Sequence, residues 1–252
     1  MVMAVTTTAG IAATMSTDAG HSQPRGWAVV TACVLVGGLL IAMSVPRIAA
    51  YGLVLGASSA IRAIDEGRGI SQDDAKTAYH SYTAALAWRP HDPVLREDRA
   101  RLAGRLALLE PRSAPLWREQ AVEDFRGAVA GAPGNGTAWA RLAQAELEAG
   151  AGIETVLPQL RLARLTAPRR ASALLPQFSI AMRHWDAMPD EMRAHALADL
   201  PSFWSRSAIR PLLVAAYLEA GFEARTAFRG RLGENPRALQ AFDRLLASSL
   251  NR

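Results

Sequence analysis

One spacing constrains this chain more than any other feature, and it occurs twice without change. Ala78, Tyr82, Ala85 and Pro90 are matched by Ala121, Phe125, Ala128 and Pro133: a small residue, an aromatic four later, a small residue three after that, a proline five beyond. Residues at i, i+4 and i+7 share one face of an α-helix. The small pair therefore lets a second helix come close, and the aromatic fills the space between. Proline, which has no amide proton, ends the helix. From Ser71 onward no stretch alternates with a period of two between hairpin turns, and aromatics make up only 6% of the 252 residues. Both features argue for helices and against sheet. The expected fold class is all-α.

Ahead of these patterns lies an uncharged run, Trp27 to Val45, 19 residues long. As a helix it covers about 28 Å, close to the roughly 30 Å hydrocarbon core of a bilayer. A single transmembrane helix over 27–46 is expected, meeting lipid through residues 27–45, with Trp27 at one interface and Arg47 at the other. A cleaved signal peptide would use the small residues around Ala42-Met43-Ser44. The 26-residue leader and Pro46 just past the cut argue against that reading. Residues 1–26 are expected to be a disordered tail. The 14-residue apolar stretch from Ile48 to Ile61 is too short to span; 47–70 is expected as a juxtamembrane helix. There Gly52, Gly56 and Ala60 stand four apart, the spacing of close helix dimers, so a homo-oligomer is possible alongside simple packing on the first helix of the water-soluble part.

Prolines recur at 90, 133, 168, 201 and 236, at intervals of 43, 35, 33 and 35 residues. The first helix of a unit is clearest at Trp139, Leu142 and Ala143, with Glu146 where an aromatic is usual. The next helix carries Val156, Leu160, Ala163 and Pro168. A last unit gives Ala224, Phe228 and Pro236, with Arg231 in place of the second small residue. Period and spacing together resemble the tetratricopeptide repeat, or TPR, family over 71–236. That resemblance implies an α-solenoid of helical hairpins whose first helices line a peptide-binding groove. By family register the groove side of the clearest first helix includes Arg141, Gln144 and Glu148. Residues 237–252 are expected as a capping helix, with Leu239, Phe242, Leu245, Leu246 and Leu250 on one stripe.

Chemical motifs are sparse. One cysteine, Cys33, excludes an internal disulfide or a cysteine-built metal cluster. The five histidines include no i,i+3 or i,i+4 pair, so no metal site is expected. Asp73-Asp74 and Asp190-Glu191 open predicted helices, where negative charge meets the positive dipole end. Asp92 before Pro93 reads as a helix start, and the glycines of Gly131 to Gly136 read as an inter-repeat turn. Arg161, Arg164, Arg169 and Arg170 read as a solvated face. Net charge is +5 with both signs interspersed, so nucleic acid is not an expected partner. No catalytic residue and no cofactor are expected.

The expected role is a non-catalytic, membrane-tethered scaffold that binds protein partners in a membrane complex. Layout resembles that of single-pass, repeat-bearing proteins of the bacterial cell envelope. The resemblance implies an inner-membrane anchor with the C-terminal part periplasmic, in an assembly such as polysaccharide biosynthesis and export or cytochrome maturation. The rival is an envelope enzyme acting on a glycan polymer, which needs two carboxylates held about 5 to 10 Å apart in a cleft.

Overall fold

A computed structural model describes residues 23–250, and among them every regular element is helical. The chain divides into two compact units, Met1–Val45 and Pro46–Arg252. In the first, the residues described belong to α1 (Gln23–Val54), whose stretch Val29–Val54 is long and apolar enough to cross a membrane. From Val29 to Val45 its side chains are mostly apolar and are exposed on every side, as in Val34, Leu35, Leu39, Leu40 and Ile41. A helix with no polar face suits lipid, not water. Residues 1–22, where most of the disordered tail was expected, lie outside the described residues.

The expected break at residue 46 does not occur. Helix α1 runs through Pro46 to Val54, and the juxtamembrane helix is the short α2 (Ser58–Asp65). The stripe of small residues is thereby split: Gly52 lies in α1, Gly56 in the turn, and Ala60 is buried from α2. Ala57, Ala60 and Ile61 pack with Ala78, Tyr82 and Ala85, which is the simple packing alternative.

Ten helices follow in the second unit: α3 (Gln72–Trp88), α4 (Pro93–Leu109), α5 (Ala114–Gly131), α6 (Gly136–Glu148), α7 (Ile153–Thr166), α8 (Ala171–Arg183), α9 (Asp190–Trp204), α10 (Arg210–Glu219), α11 (Phe222–Gly233) and α12 (Pro236–Leu250). Proline sets the turns. Arg89, Ala132 and Ala167, each just before a proline, share a non-helical conformation near φ −138 to −143 and ψ 59 to 75. Proline's ring disfavours the helical conformation in the residue before it. Each four-residue turn then closes with the amide of its last residue donating to the carbonyl of its first. Asp92 caps α4 by accepting from the amides of Val94 and Leu95, and Asn135 caps α6 by accepting from Ala138. Ser71 caps α3, with Asp73 and Asp74 in its first turn.

The 43-residue interval between Pro90 and Pro133 holds one hairpin with longer arms. Helices α4 and α5 have 17 and 18 residues, against 13 and 14 in α6 and α7. Each arm gains about one turn. Pro111 ends α4 with the same kind of turn, inside the hairpin instead of between hairpins.

Pro201 does not end a unit: it lies inside α9. The Leu197 carbonyl, which an amide at 201 would have bonded, instead accepts from Arg231 Nε at 3.2 Å. Arg231, the odd member of the last unit, is thus matched to the proline one unit earlier. Glu146 has a comparable reason: it is buried and accepts from Arg126 of α5 at 2.7 Å and from Gln159 of α7 at 2.9 Å. An ion pair and an amide occupy the place of an aromatic.

Successive helices pack in pairs, and alternate ones pack on each other: α6 on α8, α8 on α10, α10 on α12, α9 on α11. Ala78, Tyr82, Ala85, Ala121, Phe125, Ala128, Leu142, Ala143, Ala224 and Phe228 are all buried. Phe228 lies 5.0 Å from Phe242 and 5.3 Å from Tyr217, ring centre to ring centre, which joins α10, α11 and α12. Helix α12 buries Phe242 and partly buries Leu239, Leu245 and Leu246, while Leu250 is exposed. Among the tryptophans, Trp185 and Trp204 are core, whereas Trp88 is exposed. Trp139 is partly buried and donates to the Pro133 carbonyl at 2.8 Å.

Candidate functional site

The most informative surface is a cleft of about 430 Å³ lined by α2, α4, α5, α6 and α8. Its walls repeat a pattern. Helix α4 supplies Arg101, Gly104, Arg105 and Leu108, and α6 supplies Arg141, Gln144, Ala145 and Glu148. Both sets are i, i+3, i+4, i+7, one helix face. Between them run Leu102-Ala103 and Leu142-Ala143, all buried on the opposite side. All three sequence-selected groove residues, Arg141, Gln144 and Glu148, therefore line one cleft.

Sequence reasoning missed Asp65, Arg101, Arg105, Arg118 and Leu108. A partial signal for Arg101 and Arg105 was available: the tripeptide Arg-Leu-Ala stands at 101–103 and 105–107 as at 141–143, and also at 161–163 outside this cleft. Arg118 carried none, because it projects from α5, the second helix of its pair.

Two of the four arginines are tied down. Arg141 meets Glu97 at 2.6 Å and Asp65 at 3.6 Å. Arg101 pairs with Asp65 and, at 3.1 Å, with Asp98, whose other oxygen accepts from Tyr82 Oη at 3.1 Å. Burial, with Arg101 close by, draws the Arg141 guanidinium below its ordinary value, against the pull of Glu97 and Asp65. Burial pushes the Asp98 carboxyl above the usual carboxylate range, against the pull of Arg101 and of the two hydrogen bonds. Arg105 and Arg118 have no ion-pair partner among the described residues. Arg105 Nε is shut away from solvent with no acceptor. Gln144 Nε2 donates to Glu148 at 2.8 Å. Apolar side chains of Ile64, Leu108, Phe125 and Leu175 complete the lining.

Guanidinium, carboxylate and apolar side chains thus stand side by side along the lining. Asp98, the carboxyl with a raised pKa, has its oxygens engaged by Tyr82 and Arg101 and does not line the cleft. No group of three or more His, Cys, Asp or Glu among the described residues could hold a metal.

A second cavity, about 320 Å³, lies between α7, α8 and α9 over Leu160, Leu174 and Phe178, with Arg161, Glu191 and His195 at its edge. The arginine run divides here: Arg164 pairs with Asp199, while Arg169 and Arg170 lie in the α7–α8 turn. His80 and His91 are exposed.

No protein-family model, no curated protein and no solved structure matches this chain. What fold and site define is an all-helical protein with one N-terminal helix able to cross a membrane and an arginine-rich cleft among its remaining helices.

Proposed function

We propose that this protein is a non-catalytic, membrane-tethered scaffold that holds a segment of a partner protein in the cleft across α4, α6 and α8. The observation that carries this reading is the matched pair of faces, Arg101 to Leu108 and Arg141 to Glu148, opening into one trough with polar and apolar side chains side by side. Extended segments are recognised by alternating pockets and polar anchors of this kind. The helical pairs are read as TPR-like hairpins on the strength of the Ala78 and Ala121 spacings and the shared proline turns. α1 is read as a single-pass anchor in an inner membrane. The cleft then faces the periplasm, in an envelope assembly such as polysaccharide biosynthesis and export.

A photo-crosslinking residue at Gln144, in the cleft, is expected to give discrete protein adducts in intact membranes, and one at Glu123 of α5, outside it, is not. Equal labelling from both positions, or none from Gln144, rules out the cleft as the docking surface. Orientation is tested separately with a C-terminal reporter that is active only outside the cytoplasm.

A further inference from the structure

We propose that the segment held in the cleft is acidic and leucine-bearing, with its carboxylates docking on Arg105 and Arg118; this rests on the cleft reading above and names the chemistry of its partner. Of the four cleft arginines, Arg101 and Arg141 are neutralised by acids of the protein itself. Arg105 and Arg118 are left over, on α4 and α5. Neither makes a side-chain ion pair among the described residues, and both line the cleft. A carboxylate is the acceptor a guanidinium fits best, through two parallel bonds. Glu148 of the same lining pairs with neither arginine and accepts from the Gln144 amide instead.

The apolar half of the lining sets the rest. Leu108 is 66% exposed at the cleft wall, and Leu175 lines the same space from α8. A leucine between two acidic residues would cover both while its neighbours reach the arginines. The protein's own N-terminal 22 residues contain a single acidic side chain, Asp18, and so do not fit. Nucleic acid fits less well, because two free arginines give few phosphate contacts and the apolar wall gains nothing from a sugar–phosphate chain.

The test uses the full-length protein in nanodiscs and three fluorescent 14-residue peptides that alternate leucine with glutamate, glutamine or lysine. The glutamate peptide is expected to bind at least tenfold more tightly than the glutamine peptide. Arg105→Glu is expected to abolish that preference and turn it toward the lysine peptide. Arg118→Gln is expected to weaken the glutamate peptide severalfold, and carries the test if Arg105→Glu fails to fold by circular dichroism. Equal affinity for the glutamate and glutamine peptides overturns the proposal, as does a preference unchanged in the Arg118 variant. Displacement of the peptide by an equimolar RNA 12-mer assigns the site to nucleic acid and also overturns it. Loss of acid preference with Gln144 adducts intact removes this inference alone; absence of both removes the cleft reading too.

Discussion

Single residues explain where this chain departs from its own repeating pattern. Arg231 and Pro201 are the clearest pair, since one leaves a helix carbonyl bare and the other covers it. Arg231→Ala should lower stability by about 1 kcal/mol, the size of a partly exposed charge-assisted hydrogen bond. In a Pro201→Ala background, with the amide restored, most of that loss should vanish; additive losses in a double-mutant cycle followed by urea unfolding would show that the two are unconnected. Gly136 is a second fixed point. A Cβ there would lie 2.6 Å from both the Ala163 carbonyl oxygen and the Ala167 Cβ, while one at Gly134 meets nothing within 4 Å. Gly136→Ala is therefore expected to destabilise by about 1–3 kcal/mol through overpacking, and Gly134→Ala to change the midpoint little. Asp98 adds a pH dependence. Because burial raises its pKa in the folded state, its contribution is full below the unfolded value of about 3.9 and declines as pH rises through the folded one. Asp98→Asn should flatten the fall in urea midpoint between pH 4 and pH 6; an unchanged slope means another group is responsible.

At the scale of elements, helix ends are the recurring problem and arginine is the recurring answer. Arg210 Nε donates to the Trp204 carbonyl at the end of α9 at 2.9 Å, with its guanidinium 5.1 Å from that residue's ring centre. Arg225 does the same for α10 through the Tyr217 carbonyl at 3.0 Å, over the Tyr217 ring. A planar fork with several donors can serve a carbonyl and an aromatic face together, which a lysine ammonium cannot. Arginine, abundant in this chain, thus serves helix ends as well as ion pairs. Inside the longer hairpin, Arg99 meets fully buried Asp124 of α5 through two bonds of 2.7 Å. Removing one partner of such a pair strands the other, so Asp124→Ala should cost about 3 kcal/mol or more. The same change at Asp243, whose ion pair with Arg229 is partly open to solvent, should be close to neutral, and equal melting temperatures for the two variants would contradict this.

For the molecule as a whole, the last turns of α1 belong to the buried core of the second unit. Ala50 and Val54, in the last turns of α1, belong to the buried cluster with Tyr82, Leu95 and Leu102. Tyr51 donates to Asp92 at 3.3 Å. A chain beginning at Pro46 is expected to fold with the stability of the intact second unit. One beginning at Ser58 loses these contacts and should be weaker by at least about 3 kcal/mol. Denaturant midpoints of the two truncations compare them directly.

How much of this was legible in sequence depends on the range of the interaction involved. Helical class, the apolar span, the buried faces at Ala78–Ala85 and Ala121–Ala128, and the turns after residues 89, 132 and 167 come from local chemistry: a period of 3.6, a missing amide, a capping side chain. The register of the tetratricopeptide resemblance puts Arg141, Gln144 and Glu148 on one side of α6, and all three line one cleft. Elsewhere, distant residues decided. Pro201 stays inside α9, and Arg231, thirty residues away in sequence, reaches the carbonyl it orphans. Glu146 replaced an aromatic because Arg126 and Gln159 converge on it. Which cleft arginines remain free depends on where Asp65, Glu97 and Asp98 fall in space, and no local pattern encodes that. Short-range rules set the elements; charge pairing and burial across helices, which exist only once the helices meet, set the site.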